Sequence, residues 1–387
     1  MNPSRSCPVC SSHLITRFIS RERVPVHQNL LMKDKESAIG IVRGDLNLAG
    51  CEECGFIFNQ SFEAAKLSYG ESYDNTQTCS TAFSNYLDSL ARYIIEEKQV
   101  QNCRVVEVGC GKGLFLRKLV EVDECGNSGY GFDPSYTGAS TELDGRLKFE
   151  KRYYDSECAD IPADVVVCRH VIEHVQEPLA LLSTVRQALV NSPHARVFFE
   201  TPCVEWILRN RVIWDFFYEH CSYFTAQSLT TAFEASGFKV ESLEHIFEGQ
   251  YLWLEATINR EAAIISKNSG NIPLLAEEFR AAEDEMKKTW RRKIQELAEK
   301  GKVAIWGAGA KGVTFANLID AERQSISGAI DLNPNKQGKY LPGTGHEIVG
   351  YEEIAKRGIK SAILMNENYR QENLALLREA NLEIELV

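Results

Sequence analysis

Four cysteines are the first candidates for chemistry in this chain, and they stand in two pairs, Cys7-Pro-Val-Cys10 and Cys51-Glu-Glu-Cys54. Each Cys-x-x-Cys turn presents two thiolates to one point, and two such turns supply the tetrahedron of a structural zinc site. Four thiolates leave no open coordination position, so the predicted Zn²⁺ is structural rather than catalytic. Redox chemistry is the alternative, but a redox Cys-x-x-Cys begins a helix inside a thioredoxin-like unit, which this region does not predict.

A glycine-rich turn follows the apolar run Arg104–Val108 and predicts a cofactor site. Glu107 stands two places before the first of three alternating glycines, and Asp133 ends the next apolar run. Backbone without Cβ atoms lets a flat, polar cofactor approach closely. We expect Glu107 to take an amino group and Asp133 to accept two ribose hydroxyls, whereas an ordinary turn with Asp133 as a helix cap is the alternative. The glycines are Gly109, Gly111 and Gly113.

The densest group of reactive side chains is Tyr218-Glu219-His220, with Tyr223 three residues further on. A carbon nucleophile is made by removing a proton beside a carbonyl, which takes a base that titrates near neutrality and donors that hold the enolate oxygen. Histidine suits the first role and tyrosine hydroxyls suit the second. The same composition also fits an aromatic core segment with a hydrogen-bonded histidine.

His170-Val-Ile-Glu173-His174 spells an inverted zinc-protease motif. That motif needs one continuous helix, whereas here it directly follows the apolar run Val165–Cys168. We therefore expect His170 in a turn, where it either contacts the cofactor or packs locally. His174 is a candidate active-site residue at the edge of the predicted sheet.

A second strand–turn–helix pattern begins at Val303, and its glycines Gly307, Gly309 and Gly312 satisfy the G-x-G-x-x-G fingerprint of dinucleotide-binding domains. Asp331 ends the following apolar run. By itself this pattern is weak evidence for bound NAD.

The elements that must position these residues alternate between strand and helix from about residue 103 to 260. This alternation predicts an α/β fold with a largely parallel sheet and helices on both faces. Helical spacing of apolar residues predicts further helices over 78–97 and 272–300. The predicted strands of this region are Arg104–Val108, Gly129–Phe132, Val165–Cys168, Val197–Glu200 and Tyr251–Ala256.

Length and charge narrow the class of protein. A chain of 387 residues is too long for one core, so two or three domains are expected. The net charge of −11, with acidic and basic residues intermixed, argues against nucleic acid or an anionic membrane as partner. Since the sequence contains no apolar run of about 18 residues, we expect no membrane span. Residues 1–8 contain no apolar core of a signal peptide, so we expect a cytoplasmic location. We expect a monomer, because the sequence predicts no surplus apolar helix.

Together these motifs resemble the zinc-containing sugar C-methyltransferases, which use S-adenosylmethionine (SAM). The four cysteines resemble the family's zinc module, and Glu107–Gly113 resembles its class I methyltransferase module with a Rossmann-like fold. Asp331–Gly343, with the core N-P-x-K-Q-G-x-Y-L-P-G, resembles its C-terminal Rossmann-like domain. The resemblance implies a zinc-binding β module over residues 1–70, a SAM-dependent domain over 71–270, and a linking helix with a substrate-binding domain over 271–387.

The resemblance also implies an activity, C-methylation of a nucleotide-linked keto-deoxysugar next to its carbonyl through an enolate. In that family the histidine that matches His220 removes the α proton, and the residues that match Tyr218 and Glu219 steady the substrate and the enolate. His174 corresponds to a second active-site histidine. The C-terminal domain helps to hold the nucleotide-sugar, for which the helix after Gly307 offers amides to a diphosphate or another anion. The implied substrate-binding residues are Tyr73, Tyr223, Gly307, Gly309, Lys311 and Lys336.

The sequence departs from the family in two places near the acceptor pocket. Tyr73–Thr78 replaces the family's Tyr-x-Tyr-x-Ser-Ser stretch, so Tyr73 stands in for an active-site tyrosine, and Glu248–Tyr251 replaces a Gly-Gly-Ser stretch. Two other functions stay open at this point. One is O- or N-methylation of another small molecule, and the other is nucleotide-sugar or dinucleotide binding without methyl transfer.

Overall fold

Three β-sheets organise the chain in the computed structural model, which describes residues 6–70, 72–259 and 267–387. The strands are β1 (Ile15–Pro25), β2 (Arg43–Cys51), β3 (Ile57–Asn59), β4 (Arg104–Val108), β5 (Ser128–Phe132), β6 (Thr141–Glu142), β7 (Leu147–Glu150), β8 (Val165–Arg169), β9 (Arg196–Pro202), β10 (Ser222–Tyr223), β11 (Phe238–Ile246), β12 (Tyr251–Ile258), β13 (Lys302–Trp306), β14 (Ile326–Ile330), β15 (Ile348–Val349), β16 (Ile359–Leu364) and β17 (Glu385–Leu386). The helices are α1 (Lys35–Ile39), α2 (Thr81–Arg92), α3 (Leu114–Val120), α4 (Pro178–Ala188), α5 (Val204–Arg209), α6 (Ala226–Ala235), α7 (Ile272–Ala298), α8 (Ala310–Ile319), α9 (Ile354–Arg357) and α10 (Arg370–Glu379).

The N-terminal sheet has the strand order β1-β2-β3-β10, and its pairs are antiparallel. Its fourth strand comes from far along the chain, since Ser222 pairs with Phe58 and Tyr223 with Ile57. The backbone amide of Asn59 also donates to the carbonyl oxygen of Cys221 at 2.9 Å. The segment that holds the Tyr-Glu-His triplet is therefore fixed to the N-terminal module.

The central sheet has the order β11-β12-β9-β8-β4-β5-β7-β6, and the pairs from β9 to β7 are parallel. The five predicted strands are confirmed, and so is the α/β class. β11 was missed because it is an edge strand whose side chains are mostly half-buried or exposed, so it lacks a continuous apolar run. Because parallel strands end at the same edge of a sheet, the glycine-rich turn, Asp133 and His170 lie at one edge.

The C-terminal sheet, β15-β14-β13-β16-β17, is entirely parallel. Its first turn is tight, since a Cβ atom on Gly312 would lie 1.9 Å from the carbonyl oxygen of Gly307. Only glycine lets α8 approach the end of β13 this closely.

Helix α7 joins the N-terminal and C-terminal sheets, because side chains of both sheets and of the helix share one hydrophobic core that contains Phe18, Phe279 and Val303. A buried ion pair adds to this contact, with Nε of Arg21 2.8 Å from Oε1 of Glu283. Arg21 also donates to the carbonyl oxygens of Ile213 and Phe216. The predicted helix over 272–300 is thus confirmed as a packed element.

Within the described residues, no helix has the length and apolar character that crossing a membrane requires. The domain boundaries at residues 70 and 270, the cytoplasmic location and the monomeric state stay predictions.

Replacing Gly312 by alanine should destabilise the C-terminal domain, because the new methyl group would overlap the carbonyl oxygen of Gly307. Overpacking of this kind costs about 1–3 kcal/mol. Urea denaturation should show the loss, while Gly70→Ala, where nothing lies within 4 Å of the new methyl group, should shift stability by less than about 0.5 kcal/mol. Equal midpoints for both variants would contradict the tight turn.

Candidate active site

Two cavities meet at a shared wall between the central and C-terminal sheets. The first, here named the glycine cavity, has about 330 Å³ and is lined by the turn Gly109–Gly111, Glu107 and Asp133. The second, the histidine cavity, has about 280 Å³ and is lined by His220, Glu219 and the turn at Gly307. The residues that line both are Tyr73, Asn75, Thr76, Gln77, His170 and His174.

The glycine-rich turn has the conformation that its composition predicts. Gly109, Gly111 and Gly113 have φ values of +70°, +56° and +76°, in the left-handed region that glycine tolerates best. A Cβ atom on Gly109 would lie 2.1 Å from Cγ2 of Val171, whereas one on Gly111 would meet nothing within 4 Å. The turn is therefore tight on its inner side and open at Gly111.

Glu107 lines the glycine cavity with a buried carboxylate, and its Oε2 has no hydrogen-bond partner. Burial raises the pKa of Glu107 to about 8. An unpartnered buried acceptor is costly, so it suits a ligand that brings a donor. A cationic amino group would supply both the hydrogen bond and the compensating charge, which fits the amino group of SAM.

Asp133 lines the same cavity, but the chain itself uses most of its acceptor positions. Oδ2 accepts the amide of Gly111 at 2.8 Å, and Oδ1 accepts the amide and hydroxyl of Ser135. A carboxylate offers about four acceptor sites, so about one remains. Asp133 therefore shapes the turn, and its contact with two ribose hydroxyls stays a prediction.

His220 presents an imidazole to the histidine cavity. Its ring lies 4.1 Å from the ring of Phe217 and 4.7 Å from that of His174, measured between centroids. Burial and the neighbouring His174 and His170 hold the pKa of His220 well below its usual range. The ring is therefore neutral at pH 7 and keeps a lone pair.

His174 has a defined tautomer. Its Nδ1 lies 3.0 Å from the backbone carbonyl oxygen of Glu219, and because a carbonyl only accepts, Nδ1 carries the proton. The hydroxyl of Tyr69 lies 3.3 Å from the same nitrogen. In the neutral form of the ring, Nε2 of His174 then carries the lone pair. One ring nitrogen each of His174 and His220 and one carboxylate oxygen of Glu173 lie within 4.8 Å of one another. Tyr69 was missed by the sequence analysis, which had no motif around it.

Glu219 lines the histidine cavity and is only 1% exposed. Its Oε1 lies 3.1 Å from Nδ1 of His27, and its Oε2 accepts the amide of Gln28 at 2.9 Å. The structure thus brings Glu219, His220, His174 and Tyr73 to one wall.

Tyr218 and Tyr223 are placed elsewhere, which corrects the roles expected of them. Neither is among the residues that line the two cavities. The hydroxyl of Tyr218 accepts the amide of Glu63 at 2.9 Å, on the side of Phe62. The hydroxyl of Tyr223 bonds both the amide and the carbonyl of Phe217, so it braces the loop. Phe217 itself lines the histidine cavity.

His170 lies in the predicted turn, with φ at +54°. Its Nε2 is 3.0 Å from Oε1 of Glu200 and its Nδ1 is 3.3 Å from Oε1 of Glu173. Burial opposes the charged form, but the two carboxylates outweigh it and raise the pKa of His170 to about 9. Glu200 also accepts from Arg169 and Tyr86. This buried network was missed because its members are scattered along the sequence.

The C-terminal wall of the histidine cavity includes Gly307, Gly309, Lys311 and Lys336. Nζ of Lys311 lies 2.8 Å from a carboxylate oxygen of Asp215. Nζ of Lys336 donates to the carbonyl oxygen of Ala308 at 3.3 Å. The wall therefore places two ammonium groups beside the first turn of α8.

The four predicted cysteine ligands form one cluster. Their sulfur atoms all lie within 4.8 Å of one another, with Cys7 3.6 Å from Cys54 and Cys10 3.5 Å from Cys51. A tetrahedron of Zn–S bonds of about 2.3 Å would set the sulfurs about 3.8 Å apart. The geometry and the donor set both fit Zn²⁺.

Two family models match the chain, one described as a methyltransferase domain over residues 80–243 and one as a C-methyltransferase C-terminal domain over residues 257–381. The C-methyltransferase NovU of Streptomyces niveus is 24% identical over 395 residues, which cover 96% of this chain and 92% of that protein. The two matched regions contribute the two sides of the histidine cavity.

Solved structures are similar over less than half of the chain. N,N-8-amino-8-demethyl-D-riboflavin dimethyltransferase (RosA) from Streptomyces davawensis is 21% identical with a TM-score of 0.37, and the match covers 46% of this chain and only about half, 55%, of that one. Magnesium protoporphyrin IX methyltransferase (ChlM) from Synechocystis PCC 6803 is 18% identical with a TM-score of 0.34, over 46% of this chain and 84% of that one.

Binding of S-adenosylhomocysteine should release protons from Glu107. At pH 7 the free carboxyl, with a pKa of about 8, is mostly protonated, whereas a bound ammonium group favours the ionised form. We expect a release approaching about one proton per ligand at pH 7 and almost none at pH 9, where the free carboxyl is already ionised. Calorimetry in buffers of different ionisation enthalpy measures this number.

Glu107→Gln should abolish the release, whereas Glu121→Gln, at an exposed position of the same domain, should not change it. A release from Glu107→Gln equal to that of the wild type would show that another group titrates.

Proposed function

Since the chain is a SAM-dependent C-methyltransferase, we propose that it methylates a nucleotide-linked keto-deoxysugar at the carbon next to its carbonyl, through an enolate. SAM, when bound, supplies a methyl group that its positive sulfur activates toward a carbon nucleophile. The task left to the protein is to make that nucleophile and to hold it beside the glycine cavity.

The observation that carries the proposal is the imidazole of His220 in the cavity next to the cofactor site. Removal of an α proton breaks a C–H bond, transfers the proton to the base and moves the electron pair into the enolate. A neutral ring with a free lone pair can accept that proton, and the lowered pKa of His220 keeps it neutral at physiological pH.

The groups around His220 can stabilise the charge that it acquires. Glu173 is 1% exposed, and its Oε1 lies 3.3 Å from Nδ1 of His170. One carboxylate oxygen of Glu173 and one ring nitrogen each of His174 and His220 lie within 4.8 Å of one another. An imidazolium on His220 would therefore have the carboxylate of Glu173 within reach, which offsets part of the burial and of the neighbouring charges that lower its pKa.

Tyr73 is our candidate for the enolate oxygen. Burial and the charge of Glu219 raise the pKa of Tyr73 well above its usual range, so its hydroxyl stays protonated. That hydroxyl is hydrogen-bonded to Glu219 in the free protein and would turn to the enolate oxygen when the acceptor binds. Tyr73 also lines both cavities. Glu219 carries a negative charge that would repel an enolate, so we assign it to hydroxyl groups of the acceptor instead.

The C-terminal wall supports a nucleotide-linked acceptor. The first turn of the ten-residue helix α8 and the ammonium groups of Lys311 and Lys336 face the histidine cavity. A helix N-terminus with nearby cations favours a diphosphate. His174 lines the same cavity, so a sugar linked to such a group could extend toward the shared wall.

Replacing His220 by alanine should lower kcat by about 10²–10⁴-fold, the usual contribution of a general base. The affinity for S-adenosylhomocysteine should not change, because His220 does not line the glycine cavity. In D₂O without SAM, the wild type should exchange the α hydrogen of the keto sugar for deuterium, and His220→Ala should not. Mass spectrometry of the acceptor reads both the exchange and the gain of one CH₂.

His245→Ala serves as the matched control, because His245 is exposed on edge strand β11. Near-normal methylation by His220→Ala would overturn the assignment of the base. Methylation of oxygen or nitrogen without any α exchange by the wild type would overturn the proposed reaction.

We also propose that Cys7, Cys10, Cys51 and Cys54 hold one structural Zn²⁺ ion. Support comes from the short distances between their sulfur atoms and from the match to a tetrahedron of thiolates. The ion would cross-link the turn before β1 to the turn after β2. A bound ion of this kind contributes directly to the free energy of folding.

Elemental analysis should find about one zinc per chain. Cys51→Ser should lose the metal and lower the thermal midpoint, since three thiolates and a serine bind Zn²⁺ less tightly, whereas Cys103→Ser, outside the cluster, should retain the metal. Purified wild type without zinc and with fewer than twelve free thiols would indicate disulfides instead.

A further inference from the structure

We propose that His27 is the positioning residue of Glu219, and that the N-terminal module thereby forms part of the active site. The inference rests on the proposed function, since it concerns how the acceptor is held. None of the sequence motifs includes His27. Its role follows from three contacts that the fold brings together.

The first contact is with the carboxylate itself. Nδ1 of His27 lies 3.1 Å from Oε1 of Glu219, and the amide of Gln28 donates to Oε2 at 2.9 Å. His27 is 4% exposed and Glu219 is 1% exposed. Two adjacent residues of one loop therefore hold both oxygens of the same buried carboxylate, which defines its orientation.

The second contact defines the protonation of His27. The amide of Ser68 lies 3.0 Å from Nε2 of His27. An amide nitrogen only donates, so Nε2 carries the lone pair and Nδ1 carries the proton. The ring is thus a neutral donor. Unlike a lysine or arginine, it orients Glu219 without cancelling the negative charge that faces the acceptor.

The third contact extends the same support to two tyrosines. The ring of His27 meets the rings of Tyr69 and Tyr73 edge-on, at centroid distances of 5.6 and 6.3 Å. Tyr69 approaches His174, and Tyr73 lines both cavities. One imidazole therefore packs against the wall that separates the cofactor from the acceptor.

The segment that carries His27 follows directly after β1 of the N-terminal sheet. β1 ends at Pro25, and the side-chain amide of Gln28 donates to the carbonyl oxygen of Pro25 at 2.7 Å. This bond fixes the turn that follows the strand. The N-terminal module thus supplies donors to the active site in addition to any stability that a bound metal confers.

The test replaces His27 by phenylalanine and by asparagine. His27→Phe keeps a ring of similar shape but removes the donor, so kcat/KM for the keto-sugar acceptor should fall by about 10–100-fold, as for the loss of other orienting partners. The affinity for S-adenosylhomocysteine should stay unchanged. His27→Asn should recover most of the activity, because its amide nitrogen can take the place of Nδ1.

A double-mutant cycle separates positioning from a general structural effect. If His27 acts through Glu219, the double variant H27F/E219Q should lose no more activity than E219Q alone. Independent losses that multiply would overturn the proposal. So would wild-type kcat/KM in His27→Phe.

His346 offers a matched control in the C-terminal domain. It is 3% exposed, and its Nε2 lies 3.3 Å from Oδ2 of Asp320, so it too is a buried histidine beside a carboxylate. His346→Phe should lower the thermal midpoint but leave kcat/KM within about twofold. A loss in His346→Phe equal to that in His27→Phe would mean that removing any buried histidine impairs the enzyme.

If His27→Phe does not fold, His27→Asn and His27→Gln decide the matter. The amide nitrogen of glutamine falls near the position of Nε2 and cannot reach Glu219, so only asparagine should preserve activity, and equal activities would overturn the inference. The wild-type exchange experiment is independent of these variants. Its failure would reject the proposed function, whereas its success with an unaffected His27→Phe would reject only the role of His27.

Discussion

The pairing of β10 with β3 is the constraint on which the site depends. Ser222 and Tyr223 complete the N-terminal sheet, and the two residues before them, His220 and Cys221, are therefore fixed in position. The hydroxyl of Tyr223 also bonds both backbone groups of Phe217. These contacts fix the loop that carries the proposed base to the N-terminal sheet, and bonds from the hydroxyl of Ser222 to the carbonyl of Val175 and from His174 to the carbonyl of Glu219 hold it to the central domain. With them, the imidazole of His220 is held in the histidine cavity, next to the glycine cavity.

Burial opposes the charged form of every ionisable group in the site, and the neighbours of each group decide whether its pKa finally rises or falls. Glu107 has no cationic partner in contact, so burial raises its pKa to about 8. Glu200 is equally buried, yet the charges of Arg169 and His170 outweigh burial and lower its pKa to about 2. His170 lies between two carboxylates that outweigh burial and keep it charged, whereas His220 is buried without such a partner and has the charged His170 nearby, so its pKa falls well below the usual range. The fold thus keeps Glu200 and His170 in a structural ion-pair network and leaves Glu107 and His220 available to ligands.

Local sequence was sufficient to predict a site residue wherever its function depends on residues that are close to it along the chain. The glycine turn with Glu107, the two cysteine pairs and the strands that end at the cofactor cavity could be predicted, because their signals lie within a few residues. The orientation of the Tyr218 side chain could not be predicted from the sequence. The chain makes a turn at Tyr218 and Glu219, so Phe217, Glu219 and His220 line the cavity while the hydroxyl of Tyr218 bonds the amide of Glu63.

The sequence by itself therefore determined the α/β class, the cofactor turn and the thiolate set, since backbone periodicity and short spacing encode them. Only the tertiary structure decided which side chains meet in the acceptor cavity. His27 and Glu219 are 192 residues apart in sequence, and Tyr69 and His174 are 105 apart. No local pattern indicates such pairs, because their contact is produced by strand pairing and by the packing of the three sheets and their helices against one another.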